Sequence, residues 1–282
     1  MTTFKKSKTY YELVYDILKL DNDIHTVGLH SQESTLNDSY FKKYELMLFV
    51  IKNYVNIYNY SINIVEFGSG IGSFLRNLYA NINFTNNNNG NITGNRRNID
   101  RLYSYEECSY LTSKNNLINF DYNCPVSIYN RKYTETLFED SFLSLVVSQD
   151  DFYKVTEKNK LFTEIYRILR LRGFLIFSDY FVSDDISIDD RKNLCEIFNV
   201  ETMVSINEYI SIAESCNLVH CNTIFTNSDV IEHFSEVLVN LEDYENLDKD
   251  LYAHFKNLHC TVKNLIQTEK LNHGILIFKK TH

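Results

Sequence analysis

The stretch INIVEFGSGIGSFL, residues 62–75, constrains the fold more than any other part of the chain. A short, β-branched apolar run ends in Glu66, breaks at Gly68, Gly70 and Gly72, and continues into FLRNLYANI, whose apolar residues have helical spacing. A strand, a glycine turn and a helix in that order form the repeating unit of a parallel α/β sheet. In such sheets ligands bind at the carboxyl ends of the strands, near the point where the strand order reverses. Glycines let the backbone turn at positive φ and come close to a ligand, and the helix start behind them adds unpaired N–H groups and positive potential. A dinucleotide fingerprint needs G-x-G-x-x-G, but Ser73 stands where its third glycine belongs, which disfavours NAD.

The rest of the chain repeats the unit. YYELVYDILKL and SYFKKYELMLFVIKNYV predict helices, so residues 1–60 read as a helical cap. RLYSYEE predicts a strand ending in Glu106 and Glu107, with a helix following near SYLTSKNNL. SLVVSQDDF predicts a strand with Asp150 at its carboxyl end. Thr156 is expected to cap the helix EKNKLFTEIYRILR, and Gly173 to introduce the strand FLIFSDYF. Ser205 and Glu208 have capping-box spacing ahead of INEYISIAESCNL. Strands CNTIFTN and GILIFKK follow, separated by residues 228–272. Their helical pattern is too long for a hairpin loop and is expected to form a lid over one end of the sheet. Residues 84–98, FTNNNNGNITGNRRN, are polar and of low complexity, and are expected to be a disordered surface insertion. A single domain over 1–282 accounts for all of this.

Composition narrows the partners. With 28 Lys+Arg against 37 Asp+Glu, the formal charge of −9 opposes nucleic acid or an anionic membrane surface as the main partner. No apolar run approaches the roughly 18 residues that span a bilayer. The six cysteines lack C-x-x-C spacing and the N-terminal segment lacks the apolar core of a signal peptide, so a cytoplasmic protein with reduced thiols is expected. The eight histidines show no metal-ligand spacing, and no metal site is expected.

The acidic-x-G-x-G-x-G pattern of Glu66, Gly68, Gly70 and Gly72 resembles motif I of class I S-adenosylmethionine-dependent methyltransferases. A second acid should follow the next strand to bind ribose. Glu106 lies 40 residues beyond Glu66, or 25 once the 15-residue insertion is removed, close to the roughly 20 usual in such units. SLVVSQDDF, EIYRILRLRGFLIFSDYF and GILIFKK resemble later motifs of the family in order and spacing. NDIHTVGLH, SQDDF, FSDYF and the long helical insertion look like its small-molecule N-methyltransferases, which act on glycine, sarcosine, dimethylglycine or phosphoethanolamine.

The resemblance implies an α/β fold with a Rossmann-like, seven-stranded, mostly parallel sheet, helices on both faces, an N-terminal helical cap and a helical insertion before the last strand. It implies S-adenosyl-L-methionine as cofactor, with Glu66, Gly68, Gly70, Gly72, Glu106 and Gln149 binding it. Gln149 and Asp150 would face the transfer site as catalytic residues, and His25, Asp179, Tyr15 and Tyr180 would contact a small amine substrate. Four positions depart from the pattern: Lys154 replaces a family histidine, Lys132 an acid that reads the adenine amino group, Ser144 an aspartate and Arg172 a proline. Lys132 and Lys154 carry a second reading, a catalytically weak or inactive relative that binds the cofactor or a protein partner.

Overall fold

The computed structural model describes residues 36–55, 62–85, 99–242 and 249–282. Helix α1 (Leu36–Tyr54) precedes β1 (Ile62–Phe67), α2 (Ser73–Thr85), β2 (Ile99–Tyr105), α3 (Ser109–Asp121), β3 (Val126–Tyr129) and β4 (Leu143–Gln149). A single 3-10 turn (Phe152–Lys154) leads to α4 (Lys158–Ile168) and β5 (Leu169–Val182). Then come α5 (Ile188–Phe198), α6 (Ile206–Ser215), β6 (Leu218–Phe225), α7 (Asn227–Glu242), α8 (Lys249–Gln267) and β7 (Leu271–Lys280).

The seven strands form one sheet in the order β3-β2-β1-β4-β5-β7-β6. The first five pair in parallel, while β7 lies antiparallel between β5 and β6. The order reverses between β1 and β4, so their carboxyl ends frame the crevice where ligands bind in such sheets.

Period-two alternation sends each strand's side chains to two cores. On β1, Ile62 and Ile64 join Met47, Ile51, Phe74 and Leu78 of α1 and α2 on one face. Val65 and Phe67 join Phe162 and Ile165 of α4 and Tyr209 of α6 on the other. Leu161, Phe162, Ile165 and Ile168 form the helical stripe that docks α4, each fully buried. A third apolar cluster joins α5, α7 and α8 to Tyr180 and Val182 at the carboxyl end of β5 and to Leu271 at the start of β7. The helices inserted before the last strand therefore cover the same end of the sheet as the crevice.

The helical insertion and α1 lie where the sequence predicts them. Residues 1–35 and 56–60 of the predicted cap fall outside the described residues, as do 86–98 of the Asn-rich segment, whose first two residues close α2. One strand is not announced by the sequence, and two local expectations are corrected. Strand β3 has only four residues, too few for its alternation to announce it. Helix α4 starts at Lys158 with Glu157 at the N-cap, and Thr156 offers only its carbonyl, to the Lys158 N–H at 3.0 Å. Strand β5 begins at Leu169, four residues before Gly173, and crosses an irregularity opposite Leu143 and Leu145 before regular pairing resumes at Phe174.

The capping box at α6 is complete. The Glu208 N–H donates to Ser205 Oγ at 3.3 Å and the Ser205 N–H to Glu208 Oε2 at 2.6 Å. Ser205→Ala is expected to lower the unfolding free energy by about 1 kcal/mol in a urea titration.

Candidate functional site

The glycine turn follows β1 and is anchored to β2, whose Tyr105 carbonyl accepts the Gly68 N–H at 2.9 Å. Gly68, Gly70 and Gly72 all have positive φ, +67°, +54° and +81°. Two also lack room for a side chain. A Cβ on Gly68 would lie 2.3 Å from the Asp151 carboxyl carbon, and one on Gly72 would lie 2.2 Å from Asn115 Oδ1.

Asn115 belongs to a buried polar network under the loop. Arg76 of α2 donates to the Ile71 carbonyl at 2.6 Å, to Asn119 Oδ1 at 2.9 Å and to Asn115 Oδ1 at 3.3 Å. Asn115 in turn donates to Ser104 Oγ on β2, which meets Ser69 Oγ of the loop. The network ties α2, α3, β2 and the loop together, and none of its members stands out in the sequence.

Two acids flank the loop. Glu66 is buried at the end of β1, where its Oε1 accepts from Gln149 Nε2 at 3.1 Å. Its Oε2 and the neighbouring Gln149 Oε1 are also buried, and neither has a hydrogen-bond partner among the described residues. Leaving a buried acceptor unpaired costs about 1–3 kcal/mol, so this pair calls for a donor. Burial pushes the Glu66 carboxyl up to about 8, against the pull of Gln149 and Arg76. Glu106 follows β2 and braces the loop, its Oε2 accepting the Gly70 N–H at 2.9 Å and its Oε1 the Cys108 N–H at 2.8 Å. Burial and the nearby Asp151 charge push Glu106 up to about 7. Each of its oxygens retains a lone pair for a hydroxyl.

The turn after β4 completes the site. Asp150 has φ +53°, unusual for a residue with a side chain, and the residues on either side of it face the cleft. Asp151 rests against Gly68, accepts from Tyr133 OH at 2.5 Å and is salt-bridged to Lys154. The Asp150 carboxylate accepts from Ser178 Oγ and His273 Nε2, both at 2.8 Å, and pairs with Lys43. Despite the cost of burial, Lys43 and His273 hold Asp150 well below the usual carboxylate range.

Asp179 and Tyr180 are buried and do not line the cleft. Asp179 accepts from Tyr209 OH at 2.6 Å and from the Tyr180 N–H at 2.9 Å. Burial, with the Asp150 charge adding to it, raises its carboxyl to about 8. Tyr180 packs edge-on against Tyr153 and His273, with ring centroids 5.9 and 4.9 Å apart. His25 and Tyr15 lie outside the described residues.

Gly68, Gly70, Glu106, Gln149, Asp150 and Asp151 thus meet around one cleft of about 420 Å³, with Lys132 and Lys154 on its wall. A second, more open depression of about 430 Å³ lies along α6, beside the end of β5. Its polar side chains pair among themselves, Arg191 with Glu208 and Asn207 with Asp184. The strand-end cleft is the candidate site. Among the described residues no three His, Cys, Asp or Glu side chains are grouped to hold a metal ion, and no helix is long and apolar enough to cross a membrane.

No family model matches the chain. A solved structure assigned as a sarcosine dimethylglycine methyltransferase from Galdieria sulphuraria superposes with a TM-score of 0.83 and 18% identity, covering 96% of this chain and 97% of that one. The fold is that of the S-adenosylmethionine-dependent methyltransferases. Another structure with this methyltransferase fold is phosphoethanolamine N-methyltransferase 2 of Haemonchus contortus, in complex with phosphomonomethylethanolamine and S-adenosylhomocysteine. It has a TM-score of 0.69 and 14% identity, over 84% of this chain and 53% of that one. At the level of sequence, the phosphoethanolamine N-methyltransferase of Plasmodium falciparum is 23% identical over 254 residues, 88% of this chain and 81% of that protein. The seven-stranded methyltransferase fold, with its antiparallel β7, agrees with the architecture that the sequence motifs imply.

Proposed function

We propose that the protein is an S-adenosylmethionine-dependent methyltransferase whose acceptor is a small amine or amino-acid-like molecule. The observation that carries this reading is the pair of buried, donor-seeking oxygens of Glu66 and Gln149 beside a glycine turn at the strand-order reversal. The cofactor fits that chemistry with an ammonium to donate, ribose hydroxyls for Glu106, and net positive character for a cleft lined by Glu106, Glu107 and Asp151, with Glu66 buried behind Gln149. When bound, it supplies an electrophilic methyl group on a sulfonium.

The protein's part is alignment and exclusion of water. Gln149 holds Glu66 in place, and Glu106 holds the Gly70 backbone. Asp150 stands at the transfer end, with its carboxylate committed to three donors, and Asp179 and Tyr180 form the wall behind it. Helices α7 and α8 act as the lid, packed over this end of the sheet. The amine acceptor is supported by resemblance to the sarcosine/dimethylglycine and phosphoethanolamine enzymes. A reducing, cytosolic setting belongs to the same proposal, because all six cysteines are free thiols.

Calorimetric titration with S-adenosylmethionine and S-adenosylhomocysteine tests the cofactor, and Glu66→Ala is expected to abolish binding. A folded wild type that binds neither would sink the reading. Release of S-adenosylhomocysteine in the presence of sarcosine, dimethylglycine or phosphoethanolamine tests the acceptor. The Lys154–Asp151 salt bridge favours the second reading, a binding protein with weak or no turnover, because an ammonium so placed donates hydrogen bonds and does not take a proton. Turnover with any acceptor at a rate of about 1 per second or more, ordinary for an enzyme, excludes it.

A further inference from the structure

Lys43 lies on α1, distant in sequence from every residue of the cleft, and is fully buried. A lysine is seldom buried without a partner, and here the partner is Asp150. The same carboxylate accepts from Ser178 of β5 and His273 of β7. His273 meets Thr226 Oγ1 through Nδ1 at 2.6 Å, and its backbone N–H donates to Asn227 Oδ1 at 2.7 Å. Burial holds the His273 imidazole below its ordinary range, so with Nε2–H directed at Asp150 the ring accepts from the threonine hydroxyl and Lys43 brings an ammonium to the acid. One carboxylate thus joins α1, the end of β4, β5 and β7.

That carboxylate sits on the residue with positive φ at the centre of the turn, and the Asp150 N–H is bonded to the Ser178 carbonyl at 2.9 Å. On either side of it are Gln149, which holds Glu66, and Asp151, which fills the space left by the absent Gly68 side chain. A left-handed backbone conformation at a non-glycine residue persists only where its surroundings over-determine it.

We propose that Lys43 is a positioning residue for the cofactor cleft. By fixing Asp150 it holds the turn that presents Gln149 and Asp151; this rests on the cofactor reading above. Removing the ammonium takes a countercharge from a buried carboxylate, which then either takes up a proton or draws water into the turn. Either outcome loosens the two flanking side chains.

Two measurements on the full chain test this, using Lys43→Met, Lys43→Arg and the double variant Lys43→Met/Asp150→Asn. In ligand-free protein, amide hydrogen exchange of a peptide covering residues 149–155 is expected to speed at least tenfold in Lys43→Met, with peptides from β1 and from residues 143–147 unchanged. Calorimetry with S-adenosylhomocysteine is expected to give at least tenfold weaker binding. Lys43→Arg should stay within threefold of wild type, and the double variant should regain part of the loss.

Unchanged exchange at 149–155, or exchange that speeds equally everywhere, overturns the proposal, the latter marking a merely structural role. Local loosening with unaltered affinity overturns it too. A wild type that binds no S-adenosylhomocysteine sinks the cofactor reading and with it the role in cofactor binding. The exchange result still decides whether Lys43 holds the turn.

Discussion

Gly68→Ala and Gly72→Ala are expected to fail in different ways, although both sit in one loop. A side chain at either position meets the left-handed penalty of about 1–2 kcal/mol. At Gly68 it also displaces Asp151, which would have to break from Tyr133 and Lys154 and swing into the cleft. S-adenosylhomocysteine affinity should fall by a factor of about 100 or more, with a stability loss of about 2–4 kcal/mol from the backbone strain and the two lost hydrogen bonds.

At Gly72 the new atom instead strikes Asn115, whose displacement unpairs members of the buried Arg76 network. Stability is then the main casualty, by about 3–5 kcal/mol, because buried polar groups lose partners that water cannot replace. Urea denaturation and calorimetry on the two variants separate these outcomes. Equal loss of stability with retained binding in Gly68→Ala would refute the assignment of Asp151 and its glycine to the cleft.

The second large effect is on pH. Glu66 and Glu106 have carboxyls raised from an ordinary 4.5 to about 8 and about 7, chiefly by burial. The ligand-free protein therefore holds protons between pH 4.5 and 8 that the unfolded chain has released. Folding binds protons, so stability falls as pH rises through this window, by about 1.4 kcal/mol per pH unit for each such proton. Above about 8 that slope ends.

A cationic ligand favours the ionised carboxylates, so its binding expels protons. Affinity for S-adenosylmethionine is expected to rise from pH 5.5 to 7.5, by up to about tenfold per pH unit for each proton released. Calorimetry in two buffers of different ionisation enthalpy counts the protons directly. Glu66→Gln should remove about one of them. Binding with no proton release in that range would refute the placement of ligand charge at these acids.

The parts of the site visible in the sequence are local ones. Glu66 and the three glycines lie in one strand-turn-helix, while Glu106 follows, and Gln149 ends, a strand that places itself by its apolar run. What escaped depends on contacts between distant segments. Arg76, Asn115 and Asn119 look like ordinary polar helix residues until α2 and α3 pack together. Lys43 looks like a surface lysine in FKKYELM, and His273 is one polar residue in an apolar strand. Successive acids at 150 and 151 are ambiguous for another reason. The left-handed backbone at Asp150 breaks strand alternation, so parity no longer tells which side chain enters the cleft. Strand β3 is too short for any periodicity to show.

The place of β7 in the sheet bears on how the molecule is made. It is the last described strand in chain order, yet it lies inside the sheet and hydrogen-bonds to β5 on one side and β6 on the other. During synthesis, the first five strands and β6 emerge before the strand that joins them. Until then β5 and β6 each expose an unpaired edge, of the kind that recruits other chains. His273 travels on that strand, so Asp150 waits for its imidazole partner until the sheet closes. A ribosome stalled before residue 271 therefore holds a chain whose first five strands can pair, while β6 has no neighbouring strand and Asp150 lacks its imidazole partner.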